Sequence, residues 1–126
     1  DKITNLCKEA RRIALGFELA HIGVNAADAD ESLAVCQALD AAFGFGVKAG
    51  GGSNFVGSVV EVMKSPYLGR NGHIAIRTNS IPRASVELEK NGFKLDPSTA
   101  KYSGDKLVAV YFEQEFGGFA VHLLQK

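Results

Sequence analysis

The chain has 126 residues, enough for one domain with a real core, and 46% of them are apolar. Fourteen Lys and Arg balance 14 Asp and Glu, which argues against a nucleic-acid partner or a polybasic membrane surface. No apolar run approaches the roughly 20 residues of a membrane span, and the charged residues 1–12 do not read as a signal peptide. Two cysteines, Cys7 and Cys36, are too few for a disulfide scaffold and suit a reducing cytoplasm.

The elements follow in order. Residues 3–15 place Ile3, Leu6, Cys7, Ala10, Ile13 and Ala14 at helical spacing, with Gly16 as the stop. This helix reads as a lead-in. With Asp1 rather than Met at the start, it suggests a piece of a longer chain, residues 1–16 being the linker. Residues 17–25 (FELAHIGVN) alternate as a strand. Residues 28–42 form an amphipathic helix, with Leu33, Val35, Cys36, Leu39 and Phe43 as its expected buried face. Asp28, Asp30 and Glu31 favour its first turn. Short strands are expected at 44–48, 54–57 and 59–64, with Gly50-Gly51-Gly52 as a hairpin turn.

After a turn-rich connector at 65–72 the pattern restarts. A strand is predicted at 72–78. A helix follows at 81–91, with Pro82 near its start and Gly92 past its end. Strands are then expected near 93–95, 100–102, 106–113 and 118–125. Ala20-His21-Ile22-Gly23-Val24 echoes Gly72-His73-Ile74-Ala75-Ile76, and each copy leads into a helix and then a Gly-Phe pair. The reading is a duplicated β-α-β-β-β unit, about 17–64 and 72–126. The expected fold class is α+β: two βαβββ modules forming a curved, barrel-like mixed sheet around a central cavity, with an extra N-terminal helix.

Strand side chains alternate faces. In the first strand Ala20, Ile22 and Val24 share the aliphatic face, and His21 lies opposite. His73 is placed likewise in the second copy. Glu61 sits between Val60 and Val62, and His122 between Val121 and Leu123. Each of four strands thus carries one metal-competent side chain, and the three histidines of the chain are all used. If the halves face a common cavity, His21, Glu61, His73 and His122 converge. Such nitrogen and oxygen donors suit Zn, Ni, Mn, Fe or Co. The competing reading is a polar cavity holding water. An inward Glu61 needs a cation or a proton, because an unpaired buried carboxylate costs several kcal/mol. Lys48, Lys64, Arg70 and Arg77 are candidates for an anionic substrate, with Arg77 preferred because it shares the face of His73.

At these residues the chain resembles the vicinal oxygen chelate superfamily, which includes glyoxalase I, extradiol dioxygenases and bleomycin-resistance proteins. The resemblance covers residues 17–126. It implies a divalent transition metal at His21, Glu61, His73 and His122, and a small ligand chelating through neighbouring oxygens. Glyoxalase-type members usually carry a carboxylate at the last position, where this chain has His122. The stretches FELAHIGVN, EVMKSPYLGRNGHIAI and GGFAVHLLQK also resemble the C-terminal extension of bacterial bifunctional 2-keto-3-deoxy-6-phosphogluconate / 4-hydroxy-2-oxoglutarate aldolases. That likeness implies an upstream aldolase (lyase) domain holding the Schiff-base lysine. The expected function is a glyoxalase-like metal-binding domain that binds or transforms a 2-oxo acid. Glu61 would then be the base, as in a metal-dependent lyase or isomerase, and Arg77 the carboxylate partner. The alternative is a non-catalytic module that senses ligand or holds aldolase subunits in a homo-oligomer.

Overall fold

A computed structural model describes residues 1–126. Three helices accompany one mixed eight-stranded sheet. Helix α1 (Lys2–Leu15) precedes β1 (Glu18–Asn25), α2 (Ala29–Phe43), β2 (Val47–Ala49), β3 (Ser53–Val56) and β4 (Val60–Met63). Then come β5 (Gly72–Thr78), α3 (Ile81–Lys90), β6 (Leu95–Ser103), β7 (Lys106–Phe116) and β8 (Phe119–Gln125). The sheet order is β2-β3-β4-β1-β5-β8-β7-β6, so the four strands of each copy follow the same internal order. The β-α-β-β-β repeat read from the sequence is present in the α+β fold.

Local signals set the helix ends. Asp28 accepts a hydrogen bond from the Glu31 N–H at the start of α2, and Ser80 accepts one from the Arg83 N–H at the start of α3. Gly16 ends α1 in a left-handed conformation, φ 58°, that a side chain would strain.

By compactness the chain forms two units, and the division runs across β1, β5, β7 and β8. One unit comprises residues 1–19, 76–114 and 122–126. Its core is Leu15, Ile81, Ala84, Val110 and Leu123, flanked by Ile76, Leu88 and Phe112. Helix α1 is fastened there by Thr78, whose hydroxyl donates to the Leu15 carbonyl at 2.7 Å, and by Asn79, which donates to the Ala14 carbonyl at 3.0 Å. The other unit comprises residues 20–75 and 115–121. Its core is Ala26, Cys36, Val56 and Val62, with Val35, Leu39 and Val60 against it. Ser32 donates to the Val62 carbonyl at 2.7 Å and accepts from the Asn54 amide at 3.1 Å, which pins α2 to β3 and β4.

Two expectations are corrected. The buried face of α2 is centred on Ser32 and Cys36, whereas Leu33 and Phe43 are exposed. Ser32 can be buried because both its hydrogen-bonding partners lie in the sheet. The strands expected at 93–95 and 100–102 are one strand, β6, with a bulge between Asp96 and Lys101. Pro97, which has no N–H for the ladder, falls in that bulge. There the Tyr111 N–H donates to the Thr99 hydroxyl at 2.9 Å.

Candidate metal centre

The centre is built on β1, β4 and β5. Parallel pairing of β1 with β4 sets Gly23 opposite Glu61 and Val24 opposite Val62. Period-two alternation then puts Val24 and Val62 on the α2 side, and His21, Gly23 and Glu61 on the other. β5 lies on the far side of β1 and brings His73 over the same face. Gly72 permits that approach: at φ +144° it lies so close to the Gly23 carbonyl that a Cβ would collide with it.

His21 Nε2 lies 3.1 Å from His73 Nε2, and the two rings meet edge to face at 5.2 Å between centroids. Glu61 brackets the pair, with Oε2 3.5 Å from His21 Nε2 and Oε1 3.9 Å from His73 Nε2. The side chain of His73 is only 4% exposed, and those of His21 and Glu61 15%. Phe55 on β3 closes the β4 side, its ring edge-on to His21 at 5.8 Å. Burial lowers the pKa of His73. The Glu61 carboxylate opposes that shift, and His21 adds to it. The neutral imidazole this favours is the form that can donate a lone pair to a metal.

His122, in β8, is buried and stacks on Tyr111 at 4.5 Å between ring centroids. His122 belongs to one compact unit, and His21, Glu61 and His73 to the other. Arg77 is less enclosed. Its guanidinium is 3.7 Å from Glu18 and 3.5 Å from the Leu19 carbonyl, and its side chain is 44% exposed.

These positions fit a transition-metal site. Metal bonds of about 2.0–2.2 Å bring neighbouring donors to roughly 3.0–3.5 Å from one another. The two imidazole nitrogens are already at 3.1 Å, and the carboxylate oxygens are within a few tenths of an ångström of that range. Two imidazoles and a carboxylate are a donor set suited to Zn, Ni, Fe, Mn or Co.

One supporting residue was missed at the sequence level. A Cβ built on Gly23 would lie 2.5 Å from His73 Nε2, and closer still to Nδ1 and Cε1. The imidazole therefore occupies the space of the missing side chain. The signal was a glycine inside a regular strand, which often marks close approach by another group.

No family model matches the chain, and no curated protein sequence matches it. Solved structures do match. A methylmalonyl-CoA epimerase structure is 19% identical with a TM-score of 0.57, the match covering 85% of this chain and 93% of that one. The methylmalonyl-CoA epimerase of Mycobacterium tuberculosis is 17% identical with a TM-score of 0.53, over 92% and 94%. A hypothetical protein from Bacillus halodurans C-125 is 16% identical with a TM-score of 0.53, over 88% and 95%. At these identities the likeness is one of fold: the chain shares its α+β arrangement with these structures.

Proposed function

We propose that the chain is a glyoxalase-like domain that binds one divalent transition metal through His21, Glu61, His73 and His122. It holds there a small ligand with two neighbouring oxygens, such as a 2-oxo acid. The observation that carries this reading is the bracket of Glu61 oxygens on two imidazole nitrogens only 3.1 Å apart. A carboxylate so enclosed calls for positive charge, and a cation bound by all three supplies it. When bound, such a metal polarises a carbonyl and stabilises the negative charge that develops on its oxygen. His21 and His73 contribute neutral nitrogen donors. Glu61, with two oxygens at the site, is the group able to take and return a proton next to the carbonyl. Arg77 exchanges Glu18 for the ligand's carboxylate. One epimerase of this fold has been solved in complex with methylmalonyl-CoA and NH4+, which supports a small acid or its thioester as the kind of ligand the fold accommodates.

A second reading rests on α1. Ile3, Leu6 and Ile13 are 75, 64 and 72% exposed and share one helical face. That face supports an arrangement in which residues 1–16 pack on an upstream aldolase domain, and residues 17–126 serve as a ligand-sensing or assembly module in a homo-oligomer. No helix of the chain is long and apolar enough to cross a membrane. Both cysteines are free thiols, which fits a reducing cytoplasm.

Elemental analysis of untagged protein purified without chelator, beside Glu61→Ala and His122→Ala, tests the metal. The expected result is about one transition metal per chain in the wild type and a clear loss in both variants. Wild-type protein that stays metal-free after incubation with Zn, Ni, Mn and Fe(II) would overturn the reading. Turnover of 2-oxo acids by the metal-loaded domain then separates a catalytic role from a sensing or assembly role.

A further inference from the structure

A groove next to the donors is not accounted for by metal binding. It has a volume of about 470 Å³ and is lined by Lys48, Gly50, Ser53, Phe55, Gly57 and Ser58. Register connects it to the centre. Lys48 pairs with Phe55, Phe55 with Glu61, and Glu61 with Gly23, all as direct cross-strand partners. Paired residues on adjacent strands project to the same face, so Lys48, Phe55 and Glu61 form one row across β2, β3 and β4. Phe55 links the two regions, because its ring both lines the groove and touches His21.

The charge along this row is asymmetric. At its inner end stand a carboxylate and imidazoles. At its outer end Lys48 enters no ion pair, and no carboxylate lines the groove. A second ammonium stands at the rim, where Lys64 Nζ donates to the Gly50 carbonyl at 2.6 Å. The hydroxyls of Ser53 and Ser58 add neutral donors. Such a groove attracts anions and has an apolar floor, Phe55, between the anion end and the donors.

We propose that the groove holds a second anionic group of the ligand, which makes the preferred ligand a small dianion. Its vicinal oxygens face His21, Glu61 and His73, its short carbon chain crosses Phe55, and its far carboxylate or phosphate meets Lys48. Two strand spacings separate Lys48 from Glu61, about 10 Å between Cβ atoms. The lysine stem spans about half of that, so the two ends of the ligand are a few carbons apart. The chelating end of this assignment rests on the metal reading above, but the anion end does not.

The test is a matched pair of probes, 2-oxoglutarate and 2-oxovalerate, which share a five-carbon 2-oxo acid and differ in the terminal carboxylate. Each is titrated calorimetrically into wild type and Lys48→Met, with and without Zn. 3-Phosphohydroxypyruvate is the phosphate-ended arm. The dianions should bind wild type about tenfold more tightly than 2-oxovalerate, the scale of one charge-assisted hydrogen bond. In Lys48→Met that preference should fall close to one, with 2-oxovalerate binding and metal content unchanged. The phosphate end carries about −1.5 to −2 at pH 7, so the far group is identified by which of 2-oxoglutarate and 3-phosphohydroxypyruvate loses more affinity in Lys48→Met, not by which binds more tightly. Equal binding of dianions and 2-oxovalerate to wild type would overturn the proposal, and so would a preference that survives Lys48→Met. A Lys48-dependent preference in protein that takes up no metal would uphold the groove and refute the metal reading alone.

Discussion

Replacing Gly23 by alanine probes the centre without removing any donor. Its backbone lies outside the left-handed region, so alanine is conformationally acceptable at this position. The added methyl would sit 2.5 Å from His73 Nε2 and closer to two other ring atoms. Ordinary carbon contacts are about 3.5–4.0 Å, so the imidazole must withdraw by roughly 1 Å or more. A metal bond of about 2.1 Å does not survive that displacement. Overpacking should cost about 1–3 kcal/mol of stability, and metal affinity should fall at least about 10–100-fold, the scale seen when a supporting residue is lost. Urea denaturation of metal-free protein gives the first quantity, and competition with a chromophoric chelator the second. The double variant Gly23→Ala/His73→Ala separates the causes. Removing the ring should restore part of the stability lost in Gly23→Ala, a non-additive result, while metal affinity stays low. Wild-type metal affinity and stability in Gly23→Ala would refute the claim that the glycine makes room for His73.

Three further outcomes follow from the same geometry. Ser32→Ala should lower stability by about 1–3 kcal/mol in urea denaturation, because the Val62 carbonyl and the Asn54 amide each lose a buried partner; a change within error would show that these groups find other partners. Burial lowers the pKa of His73 below its ordinary value, so the unfolded chain takes up the proton first as pH falls below about 6.5. The stability of metal-free protein is therefore full above that pH and is lost as pH falls through the folded pKa. The urea midpoint should drop more between pH 7.5 and 5.5 in wild type than in His73→Ala, and equal drops would contradict the assignment. In native protein a thiol reagent should modify Cys7, which is exposed. Cys36, buried with its thiol pKa raised by burial, should react only on unfolding; rapid labelling of Cys36 would reveal local opening of α2.

Much of the fold was legible because its signals are local. The stop at Gly16, the acidic start of α2 at Asp28 and Pro82 in the first turn of α3 follow from the chemistry of those residues. Strand alternation fixes which neighbours share a face, so His21 could be separated from Ala20 and Ile22, and Glu61 from Val60 and Val62, before any pairing was known. The repeat of His21 and His73 within matching strands pointed to duplicated β-α-β-β-β units. The same alternation singled out His21, Glu61, His73 and His122 as candidate donors.

What the sequence left open depends on residues distant along the chain. The buried face of α2 was set by Asn54 and the Val62 carbonyl, which make polar Ser32 a better core residue there than Leu33. The length of β6 was set by β7, whose ladder continues past a bulge that absorbs Pro97. The row from Lys48 to Glu61 exists only through the registers of β2, β3 and β4. The place of His73 was decided by a missing atom on β1, the Cβ of Gly23. Periodicity can tell which face a side chain takes, but the space above that face belongs to a neighbouring strand, and only tertiary pairing determines what fills it.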